Sequence, residues 1–88
     1  MKLILVITGR YTSCKLSQKI WQDECLKQNI DLDVIDLENE NGKTYSKLLN
    51  LKSFPALIFN KNIIAVGHPD VQTAENIITD LISESLKS

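Results

Sequence analysis

The sequence lacks the features that mark several large classes of protein. Its 88 residues include only two cysteines, two prolines and three glycines, too few for a disulfide framework or a low-complexity chain. The longest apolar run, "LILVI", has five residues, whereas a membrane span needs about 20 and a signal-peptide core at least about 7. Acidic and basic side chains are mixed and the net charge is −1, so no clustered basic face is available to nucleic acid. We therefore expect a cytoplasmic protein with neither nucleic acid nor membrane as a partner.

The composition that remains is that of an ordinary globular domain. Apolar residues make up 43% of the chain and charged residues 24%. A chain of this length buries roughly 60–65% of the surface that its unfolded form exposes, enough to fold without disulfides. We expect one domain over residues 1–88, and a monomer.

The hydrophobic pattern predicts the element order β-α-β-α-β-β-α. "KLILVIT" is a continuous apolar run, typical of a strand covered on both faces, whereas "IDLDVIDLE" alternates with period two. Apolar residues after Asp70 recur every three or four positions, as in an amphipathic helix. The first predicted elements are a strand over 2–8, a helix from Cys14 to about Asn29 that is capped by Thr12 or Ser13, a strand over 30–38 and a loop over 39–42. They are followed by a short helix over 43–51, a strand after Pro55, a turn over 60–62, a strand over 63–67 and a final helix.

These elements predict an α/β fold with one mixed four-stranded sheet flanked by helices. Two strands joined by a helix lie parallel with a right-handed crossover, and the late hairpin adds an antiparallel pair. A cis peptide bond is plausible between Phe54 and Pro55, because X-Pro bonds are the ones that adopt it.

The stretch "YTSCKLSQK" places Cys14 at the start of the first predicted helix. There a thiol meets unpaired backbone N–H groups and the positive end of the helix dipole, both of which favour the thiolate. Nearby Lys15 and Arg10 act in the same direction. A free cysteine is only about 5% thiolate at neutral pH. The position therefore predicts a reactive thiol.

Neither Ser17 nor Cys25 can form a disulfide with Cys14. Ser17 stands where a second cysteine would complete a Cys-x-x-Cys pair, and its hydroxyl can donate a hydrogen bond to a thiolate but cannot form a disulfide. Cys25 lies eleven residues along the same helix, roughly 16 Å away, beyond disulfide reach. We interpret Cys25 and Trp21 as core residues.

The order of elements, with Cys14 at a helix start and Pro55 opening the third strand, resembles the thioredoxin-like superfamily. In size the chain is similar to the compact glutaredoxins. The resemblance covers nearly the whole sequence and is most specific in "LKSFPALIFNKN" followed by "VG" at Val66 and Gly67. It implies that Cys14, Pro55 and the Gly67 loop meet at one end of the sheet and bind an extended thiol-bearing peptide.

The resemblance implies a monothiol thiol–disulfide oxidoreductase. Cys14 would be the nucleophile and Ser17 would tune it, while an external thiol such as glutathione would release the mixed disulfide. Partners would be glutathione or a disulfide-bearing protein, with no tightly bound cofactor and no metal. The expected substrate-binding residues are Tyr11, Lys15, Phe54, Pro55, Gly67, His68 and Asp70.

The sequence also departs from the family patterns. It has Cys-Lys-Leu-Ser where glutaredoxins have Cys-Pro-Tyr-Cys and cluster-carrying monothiol members have Cys-Gly-Phe-Ser, so an iron–sulfur cluster carrier is the less favoured alternative. The glutathione clamp Gly-Gly-x-Asp-Asp becomes "GHPDV", in which Asp70 remains to hold the amino end of glutathione. Thr8 replaces the buried acid that thioredoxins place six residues before the nucleophile.

Cys14, His68 and Asp70 each have a structural interpretation as an alternative to the functional one. Cys14 can be an incidental buried residue of a non-catalytic binding module, His68 a loop residue and Asp70 the N-cap of the last helix. The binding module is the competing hypothesis for the whole chain.

Overall fold

The structure, a computed structural model, describes residues 2–8 and 12–87 and follows the predicted element order. The elements are β1 (Lys2–Ile7), α1 (Thr12–Lys27), β2 (Asp31–Asp36), α2 (Glu40–Leu49), β3 (Ala56–Phe59), β4 (Asn62–Val66) and α3 (Val71–Lys87). No helix in the described ranges combines the length and the apolar character needed to cross a bilayer.

The four strands form one sheet in the order β2-β1-β3-β4. Strand β1 pairs in parallel with β2, across the α1 crossover, and antiparallel with β3, which pairs antiparallel with β4. The β3–β4 turn places Asn60 and Lys61 at φ 54° and 67°, the left-handed pair that a two-residue hairpin with right-twisted strands requires. The predicted mixed sheet is therefore confirmed.

Both faces of the sheet are covered, as the continuous apolar run of β1 predicts. Leu3, Leu5 and Ile7 point to the face that carries α1 and α3, where they pack with Trp21 and Leu57. The opposite face carries a second cluster, which consists of Val6, Leu51, Ala56 and Ile58, with Tyr45 and Leu49 of α2 packed against it. Alternation with period two along β1 and β3 produces this division.

Helix α2 differs from the prediction, which placed a loop over 39–42. The helix begins at Glu40, so that Gly42 lies inside it and is buried. A Cβ at Gly42 would stand 2.1 Å from the carbonyl oxygen of Asp36, hence only glycine lets the helix start this close to the end of β2. The glycine that suggested a loop is a packing residue. Leu48 of α2 faces solvent and is 66% exposed.

A buried carboxylate joins α1 to α3. Glu24 is 5% exposed and accepts a hydrogen bond from Gln28 Nε2 at 2.6 Å. Lys27 lies 3.9 Å from Glu24 and 3.3 Å from Glu75 of α3. A buried charge is tolerated where it is paired and hydrogen-bonded, so these contacts account for an acid within the helix interface.

Candidate functional site

The strand register brings the candidate residues to one edge of the sheet. Val6 pairs with Ala56, which in turn pairs with Val66. The end of β1, the start of β3 and the end of β4 therefore lie side by side. The segments attached to these points are the ones that carry Cys14, Pro55 and Gly67.

Cys14 is the third residue of α1 and points into the protein. Its side chain is only 2% exposed, and its Sγ lies 3.8 Å from Thr8 Oγ1. The first turn of α1 holds no acidic residue, so nothing in that turn opposes the positive end of the helix dipole. Thr8, which directly follows β1, is therefore the residue whose hydroxyl contacts the Cys14 thiol.

Ser17 lies one turn after Cys14 and bonds to His68. The Ser17 Oγ to His68 Nδ1 distance is 2.6 Å. Ser17 is 1% exposed, whereas His68 is exposed to solvent. The bond joins α1 to the loop between β4 and α3 across a separation of 51 residues, and no local pattern in the sequence indicates it.

The Phe54–Pro55 peptide bond is cis, and Pro55 is buried. The backbone N–H of Gly67 donates to the Pro55 carbonyl at 2.9 Å. Gly67 has φ 86°, a left-handed conformation that glycine adopts without steric cost. This bond fixes the loop that carries His68 to the start of β3, while Phe54 is half-buried beside it.

Asp70 is the N-cap of α3. Its Oδ1 accepts a hydrogen bond from the Thr73 backbone N–H at 2.7 Å, and this bond lowers the pKa of the carboxyl from its ordinary value. The capping interpretation of Asp70 is therefore confirmed.

The remaining predicted residues are placed as follows. Lys15 is exposed on α1, next to Cys14 in sequence. Tyr11 and Arg10 lie outside the described residues. Within the described part of the chain, no three His, Cys, Asp or Glu side chains come together as a metal site would require.

Cys25 is a core residue, 1% exposed and without a disulfide. Burial, with a smaller contribution from the adjacent Glu24, raises the pKa of its thiol to about 11. Cys25 is therefore a neutral thiol across the physiological pH range. Trp21, 1% exposed, packs in the same cluster.

Three large apolar side chains are exposed on the segments that meet at the Ser17–His68 bond. Leu16 is 63% exposed, Val66 55% and Val71 62%. Leu16 precedes Ser17, and the two valines flank the His68 loop. Isolated exposed apolar residues are common on proteins, but these three occur on the two sides of one junction.

Comparison with known proteins identifies the fold. No protein-family model and no curated protein matches the sequence. Among solved structures, thioredoxin 1 of the thermophilic eubacterium Thermosipho africanus TCF52B superposes with a TM-score of 0.74 at 18% identity, over 97% of this chain and 98% of its own.

Two further solved structures agree with that match. Thioredoxin O2 of Arabidopsis thaliana, in its oxidized state, gives a TM-score of 0.70 at 16% identity, over 91% of this chain and 73% of its own. A structure described as that of a malarial protein gives 0.68 at 15% identity, over 90% and 93%. The chain has a thioredoxin-like fold.

Proposed function

We propose that the protein is a monothiol thiol–disulfide oxidoreductase in which Cys14 is the nucleophile. The observation that carries the proposal is the position of Cys14 in the first turn of α1, one turn before Ser17, in a thioredoxin-like fold. The unpaired N–H groups of that turn favour the thiolate. A thiolate, rather than a thiol, attacks disulfides.

The reaction proceeds by two exchanges. The Cys14 thiolate attacks one sulfur of a disulfide, so that a new S–S bond forms, the old one breaks, and the other sulfur leaves as a thiolate that takes a proton from solvent. A second thiol, deprotonated, then attacks the partner sulfur and releases the Cys14 thiolate. The electrons lost by the attacking thiols are those gained by the broken disulfide. Glutathione supplies the second thiol, because neither Ser17 nor buried Cys25 can do so.

The partner is held where the Cys14, Pro55 and Gly67 segments meet. Phe54, Pro55 and Gly67 line the groove, with Lys15 and His68 at its rim. The second carboxylate oxygen of Asp70 binds the amino end of glutathione, while the first one caps α3. Exposed Leu16 and the valines beside the loop favour partners with an apolar residue next to the disulfide.

The burial of Cys14 favours a second candidate function. With 2% of its side chain exposed, the thiol can react only when the start of α1 or its surroundings move. A non-catalytic binding module has no such requirement. It would use the same surface to hold a partner without chemistry at sulfur.

Mass spectrometry of mixed disulfides distinguishes the two candidates. The reduced protein is incubated with oxidised glutathione, and then with a peptide disulfide, and the adducts are located after digestion without reductant. We expect one adduct on Cys14, its loss on adding reduced glutathione, and no adduct in Cys14→Ser. The matched control Cys25→Ser should behave as the wild type, because Cys25 is a buried neutral thiol.

If Cys14 forms no adduct with either disulfide while free cysteine does, the proposal is wrong. Partner capture unaffected by Cys14→Ser but abolished by Phe54→Ala would establish the binding module in its place.

A further inference from the structure

We propose that His68 is a positioning residue that controls Cys14 through the direction of the Ser17 hydroxyl proton. The inference rests on the proposed function, because it concerns the reactivity of the same thiol. It is carried by the 2.6 Å bond between Ser17 Oγ and His68 Nδ1, next to a buried cysteine.

The hydroxyl of Ser17 has one proton and two possible directions for it. Ser17 follows Cys14 by three positions on one helix, which places their side chains on the same face, with Cβ atoms about 5–6 Å apart. His68 approaches the same hydroxyl from the β4–α3 loop. Ser17 is 1% exposed, so water does not take the place of either neighbour.

We infer that the neutral ring of His68 carries its proton on Nε2, so that the charge of His68 decides between these two directions. A neutral imidazole with its proton on Nε2 accepts at Nδ1, and the Ser17 O–H then donates to His68. An imidazolium carries protons on both nitrogens and can only donate. Its Nδ1–H must donate to Ser17 Oγ, and the hydroxyl proton is released towards Cys14, where it stabilises the thiolate.

The other contacts of the site are consistent with this arrangement. Among the described residues, Cys14 Sγ has its hydrogen-bond contact with Thr8, and Ser17 has its contact with His68. Asp70 does not orient the ring, because its Oδ1 is engaged by the Thr73 N–H. Among the described residues, the other ionisable groups within three positions of Ser17 or His68 are Cys14, Lys15 and Lys19 on α1 and Asp70 before α3.

The consequence is an unusual pH profile. Histidine is the side chain whose charge changes near neutral pH. As the pH falls and His68 becomes charged, the thiolate gains a donor that partly offsets its protonation. A hydrogen bond of ordinary net strength corresponds to about threefold to tenfold more thiolate than a single titration gives.

The test is the rate of iodoacetamide alkylation of Cys14 against pH, together with the ultraviolet absorbance of the thiolate. Because burial raises the pKa of Cys25 to about 11, this thiol stays almost entirely protonated up to about pH 9 and does not contribute there. We expect two inflections in the wild type and one in both Ser17→Ala and His68→Asn, with acid-side thiolate reduced about threefold to tenfold. The amide introduced by His68→Asn can still bond Ser17 but does not titrate. Ser46→Ala, which removes a hydroxyl on α2, should keep the wild-type profile.

A second measurement needs no variant that might destabilise the fold. His68 is the one histidine of the chain, so its ring signals in a proton NMR titration are unambiguous. If charged His68 stabilises the Cys14 thiolate, the thiolate stabilises charged His68 to the same extent, because coupling between two sites is reciprocal. Alkylation removes the thiolate, so it should lower the midpoint of the His68 titration. Ser17→Ala, which removes the hydroxyl between the two groups, should reduce that shift.

Two inflections in either variant, or a His68 midpoint unmoved by alkylation, would overturn the inference. In both cases a mixed disulfide on Cys14 would still support the proposed function. Absence of any mixed disulfide, with the His68 coupling intact, would instead reject the proposed function alone.

Discussion

At the scale of single residues, the two cysteines lie in one buried cluster but have different neighbours. Cys14 lies at a helix start beside the hydroxyl of Thr8, whereas Cys25 lies further along the same helix beside the carboxylate of Glu24. The sequence predicts both positions, because helix starts and the three-residue spacing of apolar side chains can be recognised locally. It does not predict the Ser17–His68 bond, because that contact depends on how the β4–α3 loop meets α1.

The raised pKa of Cys25 predicts a pH dependence of stability. Its thiol has a pKa of about 11 when folded, against an ordinary value of 9.0. Because the folded pKa is raised, the contribution of the neutral thiol is fully present below about pH 9 and is lost as the pH rises towards 11. We expect the midpoint of urea unfolding to decline over this range, and to decline less in Cys25→Ser, measured by circular dichroism.

The control for this prediction is Cys14→Ser in the same titration. Equal declines in the wild type and Cys25→Ser would show that Cys25 ionises as easily in the folded protein as in the unfolded chain.

At the scale of elements, α2 shows how one glycine can mislead a prediction. Glycine disfavours helices by about 1 kcal/mol relative to alanine, so the sequence predicts a loop around Gly42. Contact with the backbone of Asp36 and Leu37 reverses the preference, because a Cβ would stand 2.1 Å and 2.7 Å from their atoms. Only the packing of α2 on the end of β2 reveals this.

Gly42→Ala therefore tests which effect is larger. Helix propensity alone would stabilise the variant by about 1 kcal/mol, whereas overpacking against backbone costs about 1–3 kcal/mol. We expect a net destabilisation by urea unfolding. Asn41→Ala, at an exposed position of the same helix, should change stability by less than about 0.5 kcal/mol. A stabilised Gly42→Ala would show that α2 can move away from β2 at little cost.

At the scale of the whole molecule, two apolar clusters share one sheet. Trp21 lies in the cluster under α1 and α3, and Ile58 lies in the cluster under α2. Strands β1 and β3 contribute alternate residues to both, so neither cluster can be lost without the other.

This arrangement predicts a single cooperative unfolding transition. Ile58→Ala, at a site 1% exposed, should destabilise the protein by about 2–5 kcal/mol. The urea midpoints measured by Trp21 fluorescence and by far-ultraviolet circular dichroism should both fall, and to the same value. Leu26→Ala, at a side chain 82% exposed, should leave both midpoints unchanged. A shift in circular dichroism without one in fluorescence would mean that the two clusters unfold separately.

Local sequence patterns predict the identity and order of the elements, the buried character of β1 and the position of Cys14 at a helix start. These features depend on residues close together in the chain, whose periodicity and turn chemistry act locally. Packing between distant segments fixes the strand order, the glycine contact that allows α2 to begin early, and the hydrogen bond between Ser17 and His68. Those features depend on distances between segments far apart in sequence, which are fixed only when the shared core packs.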